Sequence, residues 1–167
     1  LEDHGREKVK GHGFSCHACV LRPHSKGTVR LNDRDPEAPP AIDPNFLDDD
    51  RDIATLRKGV RHMKRILESP PLTEYSPTDR HPINMDNDAE LDALIRDRAD
   101  TVYHPVGTCR MGPDDAAVVD PRLKFKGLEG LYIADASIMP EIISGNTNAT
   151  SMVIGERAAD FIKADLG

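Results

Sequence analysis

The 167-residue chain carries 29 acidic against 22 basic residues, for a net charge of -7, with 38% hydrophobic and 4% aromatic residues and no tryptophan. With Arg and Lys spread along the chain, that balance excludes partners needing a concentrated positive field, so neither nucleic acid nor an anionic membrane surface is expected. The length suits one domain, or a small domain plus part of another, and the shortage of large side chains predicts incomplete packing if the chain stands alone.

No run of about 18 apolar residues is present, which excludes a membrane-spanning helix, and Leu1 to Lys8 lacks the charged-then-apolar order of a secretory signal. That charged opening runs directly into a strand pattern and reads as an internal starting point. The cysteines, Cys16, Cys19 and Cys109, are odd in number and too few for a disulfide framework, so a reducing cytoplasm is the simpler setting.

Gly11 to Pro23 reads as a strand between glycine and proline punctuation, and Thr28-Val29-Arg30-Leu31 as a second, the two forming an antiparallel pair. On a strand, Cys16 and Cys19 point to opposite faces, so the Cys16-His17-Ala18-Cys19 stretch predicts small buried or half-buried thiols rather than a metal half-site. His17 and His24 read as surface or sheet-face residues. The proline-rich stretch from Asp33 to Pro44 excludes helix and favours an extended connection with a short edge strand.

After Asp48-Asp49-Asp50, the apolar residues Ile53, Leu56, Val60, Met63, Ile66 and Leu67 recur every three or four positions and predict an amphipathic helix. The aspartates suit its positive end, and a calcium loop is not spelled out by their spacing. Ser69 to Pro82 reads as loop. A second helix is expected from about Asp88 to Ala99, capped by Asp86 or Asp88, with Leu91, Leu94 and Ile95 inward. Beyond it lie strand candidates at Val118-Val119-Asp120-Pro121 and Leu123-Lys124-Phe125, and an apolar run Leu131 to Asp135 with the form of a buried strand tipped by an acid. The last helix is expected from about Asn148 to Lys163, packing Val153, Ile154, Ala158, Phe161 and Ile162.

Two stretches stand out chemically. His104 precedes Pro105, whose ring restricts the backbone on both sides of the bond. Around Asn146, Thr147 and Asn148, polar side chains gather where an apolar helix begins and backbone N–H groups lack partners. Taken one at a time, His104 reads as a structural histidine, Asn146 and Asn148 as helix caps, and Asp135 as a loop acid.

Together, Tyr103 to Gly112, Val119-Asp120-Pro121, Ala134 to Pro140 and Ser144 to Ala149 followed by Ile154-Gly155-Glu156-Arg157 resemble the C-terminal part of the glucose-methanol-choline (GMC) family of flavin-dependent oxidoreductases, of choline dehydrogenase and alcohol dehydrogenase type. Leu21-Arg22-Pro23 and Ile42-Asp43-Pro44 add weaker support. The resemblance implies an α+β fold: an antiparallel sheet with helices on one face over residues 1–100, from the substrate-binding domain. Residues 101–167 would then hold the catalytic histidine segment and the closing strand and helix of the FAD-binding domain.

It further implies two-electron oxidation of a primary alcohol, choline-like or simple, to an aldehyde, with hydride passing to FAD. His104 matches the catalytic histidine and Asn146 its partner; Asp135, Ala136, Asn148 and Ala149 match positions along the cofactor. No metal is implied. The electron acceptor would be a quinone, another carrier or oxygen, the last making the parent an oxidase, and a membrane could be met through that acceptor. A non-catalytic binding or assembly domain of the same fold is the other reading. The Gly-rich pyrophosphate-binding turn has no counterpart in this sequence, so the chain alone is expected to bind no FAD and to be inactive without the missing N-terminal part.

Overall fold

The computed structural model describes residues 11–167, and the opening Leu1 to Lys8, read above as an internal start, lies outside the described residues. The fold is α+β. Its described residues form two compact units, one comprising Leu47–Val102 with the described part of Leu1–Val20, the other Leu21–Phe46 with Tyr103–Gly167.

In the first unit, α1 (Asp50–Leu67) starts at Asp49, whose carboxylate accepts the N–H of Arg51, and it carries acids in its first turn and Lys64 and Arg65 in its last. These charges oppose the helix dipole at both ends. After α2 (Pro70–Thr73), α3 (Asp88–Arg98) packs on α1. Ile53, Leu91 and Ile95 are buried there. Arginines of α1 frame that apolar contact: Arg57 pairs with Asp88 at 2.5 Å and with Asp92 at 2.9 Å, and Arg61 pairs with Asp88 at 2.5 Å. Such half-exposed pairs are worth little singly, but here they orient two helices whose shared core is small.

Several sequence expectations are corrected in this unit. Gly11 to Pro23 forms no strand; residues 11–20 belong to the helical unit while Thr28–Arg30 lies in the other. Alternation makes a strand only where a partner edge is available. Cys16 is half-buried but Cys19 is exposed. Ile66 is 54% exposed in the last turn of α1. The α3 cap is Asn87, with extended φ and ψ of -100° and 100°, because Asp88 is already helical. The loop from Ser69 to Pro82 contains α2, since prolines fit a first turn whose N–H groups have no acceptor anyway.

In the second unit, β1 (Thr28–Arg30) pairs antiparallel with β2 (Ala41–Asp43), Val29 opposite Ile42. The expected edge strand is therefore the one that pairs. Gly27 precedes β1 because a Cβ there would lie 2.1 Å from the Asp43 carbonyl oxygen. The unit's core gathers Val119, Leu123, Ile138 and Met139 against Ile154 and Ala158 of α4 (Asn148–Leu166). The strand candidates appear as single bridges, Met111 with Val119, Val119 with Phe125 and Lys124 with Tyr132. Leu131 to Asp135 is thus no buried strand: Leu131 is 42% exposed, and Ala134 and Asp135 are exposed too.

Helix α4 runs past Lys163 to Leu166. Its last turn is tied down by Asp165, which accepts from the Tyr132 hydroxyl and pairs with Arg122 at 3.0 Å and Lys124 at 2.8 Å. The Lys124 ammonium, with Tyr132 behind it, lowers the Asp165 carboxyl to about 2. Ile154 and Ala158, one turn apart, face the core, whereas Val153, expected to pack, points away and is 60% exposed.

Candidate functional site

The segment around His104 is shaped by backbone demands before any side chain acts. Tyr103 adopts a left-handed conformation, φ 61°, and Gly107 another, φ 89°. A side chain at Gly107 would meet nothing closer than the Met139 carbonyl at 3.5 Å, so glycine is required there by conformation rather than by space. Between these two reversals Pro105 holds the chain extended. The result is a tight, poorly adaptable loop that presents His104 half-buried.

Hydrogen bonds then attach this loop to the turn that follows Asp135 and to the start of α4. Cys109 N–H donates to the Ser137 carbonyl at 3.0 Å, and Met111 N–H to the Ile138 carbonyl at 2.7 Å. These tie the histidine loop to a 3₁₀ turn at Ala136–Ile138, which starts at Asp135. The Asp135 carboxylate accepts the Ser137 N–H at 2.7 Å, so it serves the local backbone. The side chain of His104 supplies the remaining link: its Nδ1 lies 3.0 Å from Oγ1 of Thr147, the residue between Asn146 and Asn148.

Thr147 is buried, at 8% exposure, and occupies the N-cap position of α4, but its side chain makes no capping hydrogen bond to the helix. Its carbonyl accepts from the N–H and the hydroxyl of Ser151, both at 2.9 Å. The first amides of α4, at Asn148, Ala149 and Thr150, are therefore left without a side-chain cap at the positive end of a long helix. Asn146, Asn148 and Ala149 are exposed beside them, and Ala136 is half-buried. In front of Asn146, the Arg22 guanidinium donates to the Ser144 hydroxyl at 2.6 Å, fixing the loop that leads into the helix. At the far end of the histidine loop, Arg110 grips Asp114 through two contacts of 2.9 and 2.6 Å. That guanidinium holds the Asp114 carboxyl well below the usual carboxylate range.

The sequence-predicted residues thus fall into two groups. His104 reaches the Asn146–Ala149 stretch through Thr147, and the turn at Asp135 and Ala136 reaches the histidine loop through the backbone of its neighbours. Sequence reasoning missed Thr147 as a partner of His104, and Arg22 as the support of Ser144. Only the first carried a signal, as a hydroxyl between two asparagines at a helix start; a contact across 122 positions, like that of Arg22 with Ser144, has none. Among the described residues no group of three or more His, Cys, Asp or Glu side chains could hold a metal ion, and no helix is long and apolar enough to cross a membrane.

An imidazole whose Nε2 has no partner among the described residues, a carboxamide one residue before its hydroxyl partner, and helix-start amides without a side-chain cap can accept a proton, donate to an oxyanion and bind an electron-rich ring edge. This donor set fits the pyrimidine side of a flavin chemically.

Residues 23–155 match the sequence profile of the family described as GMC oxidoreductase. The chain is 44% identical over 163 residues to an alcohol dehydrogenase [acceptor] from Pseudomonas putida, covering 97% of this chain and 30% of that protein. It is 47% identical over 160 residues to an oxygen-dependent choline dehydrogenase from Klebsiella pneumoniae subsp. pneumoniae, covering 95% of this chain and 29% of the relative. Among solved structures, an FAD-dependent oxidoreductase from Chaetomium thermophilum superposes with a TM-score of 0.80 at 31% identity, over 87% of this chain and 26% of that one. The chain thus spans under a third of the length of these proteins. With the match running through the histidine loop, the 3₁₀ turn and the start of α4, the chain belongs to the GMC oxidoreductase family.

Proposed function

We propose that these residues form the C-terminal portion of an FAD-dependent enzyme that oxidises a primary alcohol, choline-like or simple, to an aldehyde. The observation that carries this reading is the 3.0 Å contact between His104 Nδ1 and Thr147 Oγ1, which brings the histidine loop to the residue beside Asn146. The activities named for the P. putida and K. pneumoniae relatives support the substrate class.

In this reading the bound flavin supplies a two-electron acceptor for the hydride leaving the alcohol carbon. The chain's own residues do the rest. His104 takes the hydroxyl proton at Nε2, because carbon releases hydride more readily as its oxygen gains negative charge. Asn146, whose amide cannot take a proton at neutral pH, donates a hydrogen bond to that developing alkoxide. The amides of Asn148 and Ala149 would hold the flavin ring edge with the positive partial charge of the helix start. Asp135 would shape the backbone along the cofactor rather than touch phosphate, which its carboxylate would repel.

The test is His104→Ala in the full-length, flavin-loaded protein, followed by anaerobic flavin reduction with choline and with simple primary alcohols. A fall of about a hundredfold or more is expected for loss of a general base. An unchanged reduction rate would remove His104 from this role and the proposal with it.

A further inference from the structure

Three exposed residues, Ser144-Gly145-Asn146, form an arch between two anchors: Ile143 packs against the core of its unit, and Thr147 is buried. Among the described residues no backbone hydrogen bond reaches this arch, and a Cβ built at Gly145 would meet no atom within 4 Å. The middle of the arch therefore stands clear of its surroundings. The one hydrogen bond that reaches it among the described residues comes from Arg22, whose Nε donates to Ser144 Oγ at 2.6 Å across 122 positions. Chemistry fixes the direction of that bond, because a guanidinium has donors and no acceptor.

Arg22 suits the part of a fixed point. It precedes Pro23, whose ring disfavours helical backbone at the residue before it, so the guanidinium is carried on a restricted stem. Its terminal nitrogens have no partner among the described residues, which leaves the bond to Ser144 as the contact that orients it. We infer that Arg22 is a positioning residue: by gripping Ser144 it sets the place of Asn146, two residues on, and with it the carboxamide aimed at the developing alkoxide. This rests on the reading of Asn146 as that donor, since only then does the place of its amide affect turnover. A donor of this kind has to be held to within about 0.5 Å, which an arch with no backbone bonds of its own cannot secure unaided.

The test uses the full-length, flavin-loaded protein. Arg22→Met keeps an apolar stem and removes the donor, Ser144→Ala removes the acceptor, and Ser144→Thr retains it. Arg22→Met and Ser144→Ala should each slow flavin reduction about 3- to 10-fold, the size of one net hydrogen bond, with KM little changed and Ser144→Thr near the wild-type rate. The double variant should be no slower than either single one, and Arg22→Met should add nothing in an Asn146→Ala background. Nitrogen relaxation of the protein labelled at asparagine, with Asn146 assigned by its loss in Asn146→Ala, should show an ordered Asn146 amide in the wild type and a mobile one in Arg22→Met. A wild-type rate in Arg22→Met, an equal loss with and without Asn146, or an Asn146 amide unaltered by Arg22→Met would overturn the inference. Should Arg22→Met fail to fold, Ser144→Ala against Ser144→Thr decides. The two proposals fail separately: unchanged flavin reduction in His104→Ala or Asn146→Ala defeats the catalytic reading and leaves the relaxation to decide the tether, while slow reduction in both beside a wild-type rate in Arg22→Met defeats Arg22 alone.

Discussion

Asn87 and Thr147 occupy the same position at the starts of α3 and α4, and their side chains go to different partners. Asn87 Oδ1 accepts the N–H groups of Ala89 and Glu90 at 3.1 and 3.3 Å, and its Nδ2 donates to Glu90. The cap at that start is thus closed within the helix itself. Thr147 leaves the first amides of α4 uncapped and reaches 43 residues back to His104. The first arrangement finishes a structural element; the second leaves one open, at the cost of about 1 kcal/mol of capping energy. A helix start that gives up its own cap in favour of a histidine is where binding and proton chemistry are most economically placed.

The same contrast separates the units that hold these helices. The helical unit relies on a small apolar contact between α1 and α3, edged by Arg–Asp pairs. The other relies on loops joined by isolated bridges around Val119 and Ile138. Truncating that contact should have the largest effect: Leu91→Ala, at a fully buried site, is expected to cost about 2–5 kcal/mol, read by urea unfolding and by hydrogen exchange of α1 and α3 amides. A loss under 1 kcal/mol would mean that the helix pair does not depend on this contact.

A smaller effect sharpens the comparison of helix starts. Asn87→Ala should cost about 1 kcal/mol and fray the first turn of α3, with Asn87→Asp restoring most of it. Equal frayed exchange in α4 of the wild-type protein is expected already, because Thr147 provides no cap there.

The smallest concerns the other end of α4. The Asp165 carboxyl is lowered from its ordinary 3.8 to about 2, first by the Lys124 ammonium and then by the Tyr132 hydroxyl. A carboxylate stabilised in the folded state contributes above its ordinary value and loses that contribution as pH falls through the lowered one. Exchange protection in the last turn of α4 should therefore hold down to about pH 4 and decline toward pH 2, and Asp165→Asn should flatten the profile. A pH-independent last turn would detach Asp165 from the end of the helix.

Some of these elements are legible in the sequence itself. Residues spaced three and four apart from Ile53 to Leu67, with acids before them, define α1 because a helix needs only its own periodicity and a buried stripe. The ends of α3 and α4 were found to within three residues for the same reason. The strand readings at Gly11 to Pro23 and Leu131 to Asp135 failed because a strand is completed by a neighbour elsewhere in the chain, which local alternation cannot supply. The choice of Asn87 over Asp86 or Asp88 turned on which residue is the last with extended φ and ψ, a difference of one position that composition does not register.

For the site, the sequence by itself marked the candidate residues: a histidine held before a proline, asparagines at a helix start, an acid before a turn. Those are local properties, set by the proline ring, by unpaired helix amides and by side-chain donors. The tertiary structure alone decided that the histidine loop hangs from the Ser137 and Ile138 carbonyls and that the Thr147 hydroxyl meets the ring. Hydrogen bonds across 27 to 43 positions arise only once the core around Val119, Ile138 and Ile154 has closed, because it is that packing which brings the segments within 3 Å.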